Sequence, residues 1–119
     1  PVDLTIDAGV SDSSLDLRNV QLTNFVFDGG VGDIDIDLSG KYKKSFQAQI
    51  TTGVGESTII LPEDIGVKIT FSKGIGNANF EGFLSIGNNE YVNLDYDTAD
   101  VVIHIDAETG VGDTTFKLR

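Results

Sequence analysis

The chain contains no cysteine, no methionine and no tryptophan, and only two prolines among 119 residues. Without cysteine there are no disulfides, thiolate metal sites or cysteine nucleophiles, and the redox compartment stays open. Positive charge is scarce: eight Lys and Arg stand against nineteen Asp and Glu, a net charge of −11. That balance argues against nucleic acid, which needs a basic footprint, and against direct adsorption on anionic lipid headgroups. No apolar run approaches the ~18 residues that a membrane-spanning helix needs. The sequence opens at Pro1-Val2-Asp3 with no initiator Met and no signal-like start. It reads as a mature or excised piece whose anchor or targeting segment would lie outside it.

Glycine is plentiful, at fourteen residues, and it is patterned. Gly29-Gly30-Val31-Gly32-Asp33 returns as Gly53-Val54-Gly55-Glu56, as Gly74-Ile75-Gly76-Asn77 and as Gly110-Val111-Gly112-Asp113. A degenerate copy, Gly9-Val10-Ser11-Asp12, stands earlier. The first glycines are spaced by 21, 23, 21 and 36 residues. Both flanks of every copy alternate apolar and polar with period two, as in Thr23/Phe25/Phe27 before and Ile34/Ile36/Leu38 after the second copy. Each copy is therefore strand, tight turn, strand with one face buried. No segment carries a sustained 3.6-residue apolar period, so the class is all-β.

The corner residues Gly30, Gly32, Gly53, Gly55, Gly74, Gly76, Gly110 and Gly112 are structural turn positions, where positive φ or the lack of a Cβ allows a sharp bend. The aliphatic between them (Val10, Val31, Val54, Ile75, Val111) never becomes polar. A hairpin tip would face water, so this residue is expected to point inward and form a ladder in the core. Repeats of this length match one circuit of a single-stranded β-solenoid of about five rungs. The rungs are expected near residues 1–20, 21–41, 44–64, 65–82 and 101–119. The alternative is an antiparallel sandwich of hairpins. The long fourth interval holds an insertion, residues 83–100, expected to project as a hairpin with its turn at Gly87-Asn88-Asn89-Glu90.

Two chemical motifs fail on particular residues. Gly53-Val54-Gly55-Glu56-Ser57-Thr58 imitates the tail of a phosphate loop, but Glu56 stands where a Lys must meet the phosphates, and a strand follows instead of a helix. Gly29 to Asp35 imitates a calcium-binding β-roll, but Ile34 occupies the ligand position and the repeat is not nine residues. Asp12, Asp33, Glu56, Asn77 and Asp113 share one equivalent position. Turn capping explains them, with Asp33, Glu56 and Asp113 left as weak metal candidates. His104, the single histidine, alternates with Ile103 and Ile105 and so faces outward. No nucleophile, base and orienting group fall together, so no catalytic residue, cofactor site or enzymatic activity is expected. Tyr91 and Tyr96 lie in the insertion, off the repeat grid. They either cover an edge of the core or bind a partner.

Gly29–Ser39, Gly53–Asp64, Gly74-Ile75-Gly76, Tyr91-Val92-Asn93 and the closing Ile103 to Asp113, in that order, resemble the toast-rack domains. These include the C-terminal domain of LiaF-type cell-wall-active antibiotics response proteins. The match spans essentially the whole chain. The resemblance implies a right-handed β-solenoid in a bacterial envelope protein that is secreted, lipid-anchored or membrane-tethered. The extracytoplasmic side is favoured, with the cytoplasmic face as the alternative. It also implies a non-catalytic role through a protein partner or self-association, linked in some relatives to envelope stress. A cation- or glycan-binding solenoid is the competing expectation. Ser11, in place of the second glycine, fits a terminal capping rung.

Overall fold

The structure, a computed structural model, describes residues 2–10, 12–18, 20–94 and 96–119, with the backbone alone for Val2 and Lys73. Ser11, the residue read as marking a capping rung, lies outside the described residues.

Five units each pair a long strand with a shorter one across a corner. They are β1 (Val2–Val10) with β2 (Ser13–Asp16), β3 (Leu22–Val31) with β4 (Ile34–Asp37), β5 (Phe46–Val54) with β6 (Ser57–Leu61), and β7 (Gly66–Ile75) with β8 (Ala78–Phe80). A hairpin follows, β9 (Phe83–Gly87) and β10 (Glu90–Asn93), before the fifth unit, β11 (Val102–Val111) with β12 (Thr114–Leu118). Among the described residues there is no helix. The long strands build a seven-stranded sheet in the order β1-β3-β5-β11-β7-β10-β9, and the short ones a five-stranded sheet, β2-β4-β6-β12-β8. Among the described residues, every ladder between units is parallel, and antiparallel pairing is confined to β10 with its neighbours β7 and β9.

Period-two alternation places one face of each strand in the space between the sheets. One row across the large sheet runs Phe25, Ala48, Ile105, Ile69, and the next runs Phe27, Ile50, Ala107, Phe71. All eight are buried. Small residues sit beside large ones in each row, Ala48 next to Phe25 and Ala107 next to Phe71. The facing row of the small sheet is Leu15, Ile36, Ile59, Phe116, Phe80. Each fully buried side chain of this kind contributes roughly 1.5–3 kcal/mol relative to exposure, and these rows are the core.

The order of units differs from their order in the chain. Unit five lies between units three and four, with β11 hydrogen-bonded to β5 on one side and β7 on the other. Its alternation, Ile103, Ile105, Ala107 inward and His104, Asp106, Glu108 outward, matches that of the strands on either side. Unit four is left at the end of the stack. The insertion does not project: β10 pairs with β7 and continues the seven-stranded sheet.

The corner aliphatics correct the expectation of an internal ladder. Val10, Val31, Val54, Val111 and Ile75 are in register, but their exposures are 81%, 48%, 48%, 46% and 73%. The space beneath the corner is already filled. A Cβ placed on Gly29 would come within 2.6 Å of Ile34 Cδ1 and 2.8 Å of Phe27 Cε1. With Phe27 and Ile34 meeting there, no volume remains for a further side chain, and the bend turns residue 31 outward.

The second glycine of a corner meets two demands, positive φ and a neighbouring carbonyl too close for a Cβ, as at Gly55 (φ 138) against Gly32. Gly30 has no positive φ. It is needed for close stacking, because a Cβ there would lie 2.6 Å from the carbonyl oxygen of Gly9 in the neighbouring unit.

Tyr42 closes the far side of the core, buried against Phe46 with ring centroids 4.7 Å apart. Burial, reinforced by the negative charges of Asp37 and Asp16, raises its phenol above the ordinary 10.0. The folded state therefore holds the neutral phenol. Its contribution to stability is fully present below the unfolded value and is lost as pH rises through and beyond about 10. Tyr42→Phe is expected to flatten the decline in urea midpoint between pH 9 and 11. An unchanged decline would assign it to another group.

Candidate functional site

The repetition breaks at the hairpin and at the segment returning from it to β11, and this region carries both tyrosines singled out in the sequence. Asn93, at the end of β10, anchors it. Asn93 is buried, its side-chain Oδ1 accepts the Val67 N–H at 2.9 Å, and its Nδ2 donates to the Ile65 carbonyl at 2.7 Å. One amide thus ties the hairpin to the start of β7. Truncation in Asn93→Ala leaves a buried donor and a carbonyl unpaired, with an expected loss of about 2–3 kcal/mol in urea unfolding. A loss under about 0.5 kcal/mol would mean that the anchor lies elsewhere.

Tyr91 lies flat on Phe80, ring centroids 3.6 Å apart and planes 9° apart. Phe80 in turn stacks on Phe116 at 5.0 Å, and Phe71 meets both edge-on. The half-buried Tyr91 therefore closes the unit-four end of the core, with its ring face occupied. Tyr96 sits differently. It rims an open cavity of about 820 Å³ together with Asp97 and Val102, over the outer face of the large sheet. The floor includes Asn24, Gln47 and His104, which are register neighbours on β3, β5 and β11. A second cavity of about 370 Å³ continues along the same face over Gln49 and Asp106. Among the described residues, no intramolecular hydrogen bond holds the side chains of Asn24, Gln47 or Gln49. The surface is polar and open, and its amides are available to a ligand or partner.

The carboxylates of the corners form another row. Asp12 Oδ1 accepts the Asp33 N–H at 2.9 Å, Asp33 Oδ1 the Glu56 N–H at 3.1 Å, and Asp113 Oδ1 the Asn77 N–H at 3.0 Å. These bonds run between units, whereas the sequence suggests capping within a turn. Each links one corner to the next where the backbone bends out of its ladder. Of the weak metal candidates, Asp33 and Asp113 are engaged in this way as acceptors, and Glu56 donates such a bond from its backbone N–H. Among the described residues, no three His, Asp or Glu side chains converge to hold a metal ion.

A third cluster joins separate units. Asp37 meets Arg119 at 2.7 Å and Arg18 at 3.6 Å, and Arg18 also pairs with Asp16 at 2.7 Å. Hydrogen bonding from Arg18 holds the exposed Asp16 carboxyl down at about 2. The signal that sequence reading missed here is Arg119, which reaches Asp37 of unit two. Asn93 was legible only as part of a family motif, because its partners are backbone groups of another unit.

Comparison with known proteins adds three findings. The family model for the N-terminal domain of toast_rack, DUF2154, matches residues 1–60. The chain is similar to the crystal structure of a candidate cell adhesion protein from Clostridium sporogenes ATCC 15579, with a TM-score of 0.90 and 38% identity. That superposition covers 97% of this chain and 54% of the other, so the chain spans about half the length of that neighbour. No curated protein matches the sequence.

Proposed function

The chain belongs to the toast-rack family, and from that premise we propose that it is a non-catalytic interaction domain of the bacterial cell envelope. The observation that carries this reading is the near-complete superposition, at 38% identity, on half of a candidate cell adhesion protein. The domain binds a protein partner or a second copy of itself through Tyr91 or Tyr96, with Tyr96 and the open outer face beside it as the favoured contact. It works on the extracytoplasmic side, in a secreted, lipid-anchored or membrane-tethered protein, and in envelope-stress or cell-wall antibiotic response. No helix among the described residues is long and apolar enough to cross a membrane. The parallel ladders support reading the stack as a single-stranded, right-handed β-solenoid of five rungs, forming one domain with an inserted hairpin.

The test is capture. The chain, immobilised and cross-linked to an envelope extract of a bacterium that carries it, should retain a defined protein that Tyr96→Ala combined with Gln47→Ala releases. Failure of the wild-type chain to retain any envelope protein would contradict the proposal, as would turnover of an envelope polymer.

A second reading, glycan binding, is supported by the amides of Asn24 and Gln47, which have no partner among the described residues and line one cavity with Tyr96, since amides and an aromatic ring suit hydroxyl-rich ligands. Titration with neutral oligosaccharides, followed at the Asn24 and Gln47 side-chain amides by NMR, separates the two. Shifts confined to these amides favour the glycan.

A further inference from the structure

We propose that the corner of the stack is a docking ridge for a basic protein surface carrying an aliphatic groove, a proposal that rests on reading the domain as an interaction module. In spatial order the ridge is Val10, Val31, Val54, Val111, Ile75, each directly in register with the next. At about 4.8 Å per strand, the row is roughly 19 Å long. The three central valines remain 46–48% exposed although each has an aliphatic neighbour on both sides. Beneath Val31 the interior is already filled by Phe27 and Ile34, so there the core does not call for an aliphatic at the corner. Nor does strand propensity explain the choice, because threonine would meet it, and threonine is what the exposed strand positions 5, 23 and 70 carry. A continuous exposed aliphatic row on a chain this acidic marks a contact surface.

Charge selects the occupant. On one side of the ridge, the outward row of the large sheet carries the exposed carboxylates of Asp7, Asp28 and Glu108. On the other, the corner row carries those of Asp12, Asp33, Glu56 and Asp113, all exposed. Neither row contains a Lys or Arg. Two copies meeting ridge to ridge would oppose carboxylate to carboxylate, and phosphate-bearing lipids or nucleic acids would be repelled in the same way. A protein surface with a central aliphatic groove and Lys or Arg on both rims satisfies the apolar row and both acidic rows at once.

The experiment uses a synthetic fourteen-residue helical peptide with leucines along one face and lysines bordering it, titrated into the intact chain by calorimetry and by methyl NMR. The methyl groups of Val31, Val54 and Val111 should shift first. The variant V31T/V54T/V111T keeps shape and strand propensity while removing apolar contact, and should weaken binding by about tenfold or more. D28N/E108Q, which alters no hydrogen bond seen in the structure, should also weaken binding and flatten its salt dependence. L84T/I86T, at exposed aliphatics on β9, should leave binding unchanged. No binding by the wild-type chain, or equal binding by the threonine variant with its melting point preserved, overturns the proposal. Envelope capture separates this from the broader reading. A partner retained by the threonine variant removes the ridge and leaves the interaction module standing, whereas a wild-type chain that retains nothing removes the module itself.

Discussion

Gly112→Ala lowers the stability of the domain by roughly 2–6 kcal/mol, a large share of the about 5–15 kcal/mol typical of a folded domain. Two costs add. Residue 112 has φ 133, a conformation that costs an L-residue about 1–3 kcal/mol. The new methyl also meets the carbonyl oxygen of Gly55 in the neighbouring unit. That oxygen belongs to the stacked backbone and has no rotamer to move into, so the two units must separate, at about 1–3 kcal/mol for an overpacked site. Gly87→Ala isolates the first cost. Gly87 has φ 92, but nothing lies within 4 Å of its would-be Cβ. Its loss should therefore be only about 1–2 kcal/mol. Urea unfolding of both variants measures the difference. Equal losses would show that the glycines serve the bend alone and that close stacking at the corner has no energetic weight.

Phe116→Ala costs about 3–5 kcal/mol. Phe116 is fully buried on β12, stacked on Phe80 at 5.0 Å and edge-on to Phe71 at 5.7 Å. It is in register with Ile59 of unit three and Phe80 of unit four. Its removal therefore opens a cavity shared by three units, and Tyr91 loses the support beneath Phe80. Phe116→Leu should recover most of the loss, because it restores most of the volume. The hairpin serves as reporter: protease cleavage near Asn88-Asn89 should accelerate in Phe116→Ala and not in Phe116→Leu. A loss below about 1 kcal/mol would be incompatible with β12 lying between β6 and β8.

Strand positions, their buried faces and the corners were legible because a period of two and a returning Gly-aliphatic-Gly are local features. Phe25 and Phe27 inward with Asp28 outward follow from alternation alone. The order of the stack was not legible. Every unit presents the same corner to its neighbours, so β11 fits beside β5 and β7 equally well on pattern, and spacing along the chain says nothing about which gap it fills. The orientation of Val31 is not legible in the sequence, for a physical reason. Its constant aliphatic character suggests the core, while the volume beneath it is set by Phe27 and Ile34 across the bend, a contact that no single strand's pattern contains. The same holds at the candidate site. Tyr96 stood out as an off-grid aromatic, but the amides of Asn24 and Gln47 that floor its cavity come from other units. They are ordinary outward strand residues until the register brings them together.

The proposed ridge depends on one arrangement, in which Val111 stands between Val54 and Ile75 with all three side chains outside. Because the chain contains no cysteine, paired cysteine variants treated with a thiol cross-linker about one strand spacing long test it directly. The account predicts rapid cross-linking in the native protein for V54C/V111C and for V111C/I75C. It predicts little for V54C/I75C, whose strands are two spacings, about 10 Å, apart. Efficient cross-linking of V54C/I75C, or thiols at 54 and 111 that stay unreactive until the protein unfolds, would contradict it.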